Sequence, residues 1–256
     1  MPFHENALLR EELHPTSRDL PLEAKIETYW DQRSKSFSKT RLQECSGPDG
    51  KAWLSLLREH LPARPLKVLD IGTGAGFFPL LLAPLGHDVT GIDLSGHMVM
   101  QARENCLAAG IAAHFQKMNA QELDFPDASF DVVVSRNLTW TLPDAMEAYR
   151  EWHRVLRPQG LLLNFDSDYG KETFHKTADQ KNIHAALSQQ TLDTCNDIKD
   201  HLLISHHRRP AWDASFLQSL GMTVTVEEDI APRVHQDPLM HYDNVALFGL
   251  IAKKNG

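Results

Sequence analysis

Apolar and polar positions along this chain alternate between two periods, and each change of period marks an element. Val68-Leu69-Asp70-Ile71 is a short apolar run ending in a turn with glycine at alternate positions, Gly72, Gly74 and Gly76, and a helix starts at once with Phe77-Phe78. Gly91-Ile92-Asp93-Leu94-Ser95 closes a second strand on an acid. Phe130 to Val134 is β-branched, as a buried parallel strand requires, and it runs out into Ser135, Arg136 and Asn137. Pro143-Asp144 opens an amphipathic helix with Met146, Tyr149, Trp152, Val155 and Leu156 at helical spacing; Arg157-Pro158-Gln159-Gly160 stops it, and Leu161 to Phe165 reads as a fifth strand. Strands alternating with helices predict an α/β fold around a doubly wound sheet.

The flanks read differently. A helix is expected around Leu22 to Trp30, and another from Lys51 to Leu61 through Trp53, Leu54, Leu57 and Leu61. Tyr169 to Pro210 is polar and reads as two helices. Pro210-Ala211 then opens a helix with Phe216, Leu217 and Leu220 on its buried face and Gly221 as its cap. Met222 to Glu228 and Val245 to Lys253 read as strands joined by a long loop, 229–244. The division is an arm (1–60), a core (61–168), a helical insertion (169–209) and the end of the core (210–256).

Composition narrows the class. A net charge of −8 and the lack of a basic run argue against a nucleic-acid partner, and Arg208-Arg209 reads as a solvated helix end. No apolar stretch is long enough to span a membrane. Glu5, Glu11 and Glu12 make the start unlike a signal peptide. Cys45, Cys106 and Cys195 are odd in number and far apart, which fits a reducing compartment; the expected location is the cytoplasm.

The candidate chemistry sits at the glycine turn. Dinucleotide folds use G-x-G-x-x-G to approach a pyrophosphate, whereas this run is Asp70-x-Gly72-x-Gly74-x-Gly76, with an acid suited to an ammonium-bearing ligand. Asp93 stands where a carboxylate accepts from both ribose hydroxyls. With these residues the chain resembles the class I S-adenosylmethionine (SAM)-dependent methyltransferases of small-molecule type. That resemblance implies a Rossmann-like seven-stranded sheet whose last strand is antiparallel, with SAM as cofactor and S-adenosylhomocysteine as product. It places Asp70, Gly72, Thr73, Gly74, Gly76 and Asp93 around the cofactor, with Leu94 and Met98 on adenine, either as contacts or as ordinary core. The string Asn119-Ala120-Gln121 falls where the family commonly has an acid on the adenine amino group; here Asn119 offers an oxygen without charge. Arg136 and Asn137 end the fourth strand at the ligand edge. Tyr29-Trp30-Asp31-Gln32-Arg33 resembles the family's Y-W-D-x-R motif, in which Tyr29, Trp30 and Arg33 cover the methionine end of SAM; alternatively Tyr29, Trp30 and Phe37 only pack the arm onto the sheet.

The insertion hangs over the same edge in the family, which makes Tyr169, His201, His206 and His207 candidates for the acceptor. Tyr169, His201 and His206 are the catalytic candidates, and the 229–244 loop is expected as the far wall. His201 and His206 lack the i, i+4 spacing of a helical metal pair, so no metal is expected. The expected reaction is in-line displacement onto a small-molecule acceptor by a monomer or homodimer. The alternatives are an RNA or protein methyltransferase, a SAM-binding module without catalysis and, less well matched to the glycine spacing, an NAD-dependent oxidoreductase.

Overall fold

A computed structural model describes residues 20–256; the acidic start with Glu5, Glu11 and Glu12 lies outside them. Strands β1 (Lys67–Ile71), β2 (Asp88–Asp93), β3 (His114–Lys117), β4 (Phe130–Arg136) and β5 (Leu156–Ser167) pair in parallel. β6 (Met222–Glu227) and β7 (Leu247–Lys254) complete a seven-stranded sheet of order β3-β2-β1-β4-β5-β7-β6, with β7 antiparallel to both neighbours. The order reverses between β1 and β4, which leaves a crevice at the carboxyl ends of those strands.

Alternating residues of the strands feed two cores. Leu69, Ile71, Val133 and Leu162 pack with Tyr149 and Trp152 of α5 (Ala145–Val155) and Leu217 of α7 (Ala211–Ser219). Val68, Val132, Val134 and Phe165 face Trp53 and Leu57 of α2 (Pro48–His60) and Phe78 of α3 (Phe77–Leu82). Trp53 meets the edges of Phe77, Phe78 and Phe165 with ring centroids 6.1, 5.9 and 5.1 Å away.

Several expectations are corrected. The first helix, α1 (Leu22–Ser46), runs 25 residues and ends only where Gly47-Pro48 starts α2. Its buried positions include Arg33, Ser34, Ser38, Arg41 and Glu44, so apolar spacing could not reveal its second half. α5 leaves Met146 exposed and stops at Val155; β5 begins at Leu156, and Arg157 to Gly160 already belong to the strand. The insertion holds one α-helix, α6 (Gln189–Asp200), with short 3-10 turns around it. The long loop contains α8 (Ala231–Val234).

Arg209 is also not solvated. It is 6 % exposed, and its guanidinium donates to both oxygens of Asp213 at 2.9–3.1 Å and to Asp166 Oδ2 at 3.2 Å. Tyr149 and Asn164 extend the network, with Tyr149 donating to Asp213 Oδ1 at 2.7 Å and Asn164 donating to Tyr149 at 2.9 Å. The network ties the end of β5 to α5 and α7, close to the rim of the crevice. Arg209→Gln strands two buried carboxylates, and urea denaturation is expected to show a loss of about 3–5 kcal/mol.

Candidate functional site

At the crevice the glycine turn and the acid of β2 are built as one unit. Gly74 N–H donates to Asp93 Oδ2 and Ser95 N–H to Asp93 Oδ1, both at 2.9 Å. The carboxylate lines the crevice, and its oxygens can each accept more than one hydrogen bond. Gly72 and Gly74 have φ of +69° and +53°, and a Cβ at Gly74 would stand 3.0 Å from the Phe37 ring. The turn therefore admits the first helix close above it. Thr73 donates to Asp70 at 2.6 Å, and both are buried.

Asp31 pins α1 in place. Ser95 Oγ donates to Asp31 Oδ1 at 2.5 Å and His97 N–H at 3.3 Å, so the arm's carboxylate meets the start of α4 (Gly96–Ala108). Asn105 of α4 donates to Ser38 Oγ and to the Ala75 carbonyl, both at 2.9 Å. With α1 laid across the edge, the crevice becomes adjoining rooms.

The first room encloses about 710 Å³, its mouth included, and brings together Trp30, Gly72, Gly74, Asp93, Leu94, Met98, Asn119, Ala120, Gln121, Arg136 and Asn137. These come from five separate stretches of sequence. Asn119 Oδ1 accepts from Gln121 N–H at 2.9 Å, while its amide donates to Glu23 Oε1 at 3.0 Å. Glu23 of α1 also lines the room, which brings a carboxylate beside the position where the sequence has lost one. Asp70 and Thr73 line a smaller recess with Phe37, Arg41 and Arg136; Gly76 lines none of these rooms and caps α3 instead.

The second room, about 600 Å³ with its mouth, is walled by Tyr29, Trp30, Phe37, Trp140, Tyr169 and Phe174, with Ile183, Leu187 and Leu192 from the insertion. Tyr29 and Arg33 belong here rather than to the first room. Trp30, Phe37 and Asn137 are common to both. Asn137 has φ +53°, its backbone carbonyl accepts from Trp140 Nε1 at 3.0 Å, and its side-chain oxygen is buried without a partner. An orphaned acceptor at the junction of two rooms is what a donor-bearing ligand would satisfy.

Of the three catalytic candidates, only Tyr169 reaches a room. Its ring lies 5.0 Å from Trp140 and 5.5 Å from Phe174, and burial pushes its phenol well above the usual value. Burial therefore favours the protonated phenol, which can donate a hydrogen bond. His201 is exposed with Nδ1 2.6 Å from the Asp197 carbonyl, and His206 is exposed. His207 stacks on Trp212 at 4.4 Å. The 229–244 loop lines neither room; Asp49 of α2 accepts from Gln236 N–H, Asp237 N–H and Tyr242 and holds the loop behind them.

His184 was not singled out by its sequence context. It lines the second room, with Nε2 3.2 Å from Asp243 Oδ2 and Nδ1 buried without a partner. Burial alone would raise Asp243, but His184 holds its carboxyl below the usual range. Among the described residues no group of three or more His, Cys, Asp or Glu could hold a metal ion, and no helix is long and apolar enough to cross a membrane.

Burial pushes Asp93 up to about 6, against the pull of the Ser95 and Gly74 amides and with the Asp31 charge adding to the rise. A protonated Asp93 loses acceptor capacity for sugar hydroxyls. Adenosylhomocysteine affinity is therefore expected to fall as pH drops below about 6, approaching tenfold per pH unit, and Asp93→Asn should flatten that slope in a calorimetric series.

Residues 69–164 match the family of the methyltransferase domain. The phosphatidylethanolamine N-methyltransferase of Cereibacter sphaeroides is 39 % identical over 118 residues, 43 % of this chain and 57 % of that protein. The demethylmenaquinone methyltransferase of Listeria monocytogenes serotype 4a is 38 % identical over 107 residues, 39 % of this chain and 44 % of that protein. The matches cover about half the length of such curated relatives. Among solved structures, phosphoethanolamine N-methyltransferase 2 of Haemonchus contortus, in complex with SAM, shares the fold at a TM-score of 0.63 and 18 % identity, covering 90 % of this chain and 60 % of that one.

Proposed function

We propose that this chain, which carries a class I SAM-dependent methyltransferase domain, transfers a methyl group to a small-molecule acceptor held in the aromatic room. The single observation behind this reading is the pair of adjoining rooms that share Trp30, Phe37 and Asn137. Two adjoining rooms of this size with a common wall suit small reactants better than a polymer, and no basic groove is expected from a chain of charge −8.

Bound SAM supplies an electrophilic methyl on a sulfonium. Asp93 accepts from the ribose hydroxyls, Leu94 and Met98 pack on the adenine, and Glu23 with Asn119 offers acceptors to its amino group. Asp70 and the Asn137 side-chain oxygen face the amino-acid end, beside Arg41 and Arg136. The chain's main work is alignment and exclusion of water, and alignment alone is worth about 7–11 kcal/mol in well-oriented systems. His184, beside the Asp243 carboxylate, takes a proton from acceptors that must lose one; Tyr169 donates a hydrogen bond from the same wall. His201 and His206 lie outside this arrangement.

With methyl-labelled SAM and a cell extract, label is expected in molecules below about 1 kDa; label confined to RNA or protein would overturn the small-molecule reading. Asp93→Ala should weaken adenosylhomocysteine binding about ten- to a hundredfold in calorimetry, from loss of charge-assisted hydrogen bonds. For an acceptor with a protonated nucleophile, His184→Gln is expected to lower kcat by about a hundredfold or more at unchanged KM for SAM, with little effect on an acceptor that reacts without losing a proton.

A further inference from the structure

Arg33 is the one strongly buried cation in the wall of the second room that lacks a carboxylate. It is 7 % exposed, its Nη1 donates to Tyr29 Oη at 2.9 Å, and its Nε is buried without a partner. No ion pair involves it among the described residues. Arg41 lines the same room, but the neighbouring guanidiniums are differently paired. Arg41 and Arg136 both reach Glu44, at 2.5 and 2.6 Å, and this trio of net charge +1 borders the recess that holds Asp70 and Thr73. The positive charge beside the amino-acid end of the donor site is thus already supplied without Arg33.

Burying a charge without an opposite partner is unfavourable, and the two indole and phenol faces near Arg33 offset only part of that cost; its guanidinium carbon lies 5.8 Å from the ring centroids of both Tyr29 and Trp30. Around it the room is mainly aromatic and aliphatic, with Arg41, Asn137, His184 and Cys195 as its other polar groups, and no Asp or Glu lines it. We propose that this room binds an apolar, ring-bearing acceptor with one anionic group, a carboxylate or phosphate, that pairs with Arg33. The inference rests on the methyltransferase reading for what then happens to the ligand, but the anion subsite itself does not depend on it.

The test uses the full chain saturated with S-adenosylhomocysteine and three matched probes: naphthoate, naphthyl phosphate and neutral naphthamide. Calorimetry is expected to show one of the anions binding about ten- to a hundredfold tighter than the amide, the usual value of a charge-assisted hydrogen bond, and the preferred anion separates carboxylate from phosphate acceptors. Arg33→Gln should abolish that preference while leaving adenosylhomocysteine affinity within about twofold, which also shows that the variant is folded; Arg33→Lys should retain part of it. Equal affinity for the amide and both anions overturns the proposal. So does an Arg33→Gln variant that loses adenosylhomocysteine and keeps the anion preference, since Arg33 would then serve the donor. A wild-type chain that holds naphthoate by Arg33 but never binds adenosylhomocysteine keeps this subsite and removes the methyltransferase reading.

Discussion

The site depends on one carboxylate contact, Asp31 of α1 at the first residues of α4. Ser95 Oγ and His97 N–H both donate to it, so the arm is fastened to the same βα corner that presents Asp93. Without α1 the carboxyl edge of the sheet is an open crevice. With it, Trp30 and Phe37 come down between β1 and the insertion, and the first and second rooms share one wall. The close approach is possible because the turn beneath carries glycine where Phe37 descends.

What the sequence disclosed follows from how local its cause is. The turn at Gly72 and Gly74 and the acids Asp70 and Asp93 were legible because left-handed backbone, strand ends and helix starts leave marks within a few residues. The seven-stranded sheet with its antiparallel last strand was legible through the resemblance those residues carry. The second half of α1 was not, because the face it buries is polar: Arg33, Ser38, Arg41 and Glu44 point at rooms and partners that lie far along the chain. Arg209 looked like a solvated residue for the same reason, since Asp166 stands 43 positions before it. His184 gains its meaning only from Asp243, which no spacing rule connects to it.

The two rooms also differ in chemical character. The first room mixes apolar walls with Glu23, Asp93, Asn119, Gln121, Arg136 and Asn137, so carboxylates and a guanidinium both border it. The second room is largely aromatic and carries cationic or neutral polar groups only, among them Arg33, Arg41, His184 and Asn137. Only the first room therefore offers carboxylates to a ligand, and that difference is a basis for telling one ligand from another.

Trp30 stands in the partition itself, edge-on to Tyr29 at 5.1 Å and to Phe37 at 5.6 Å. An indole placed there samples the dielectric on both sides at once. A ligand in either compartment changes the surroundings of this ring, so a variant that keeps Trp30 as its sole indole would report occupancy through its ultraviolet emission without any attached dye.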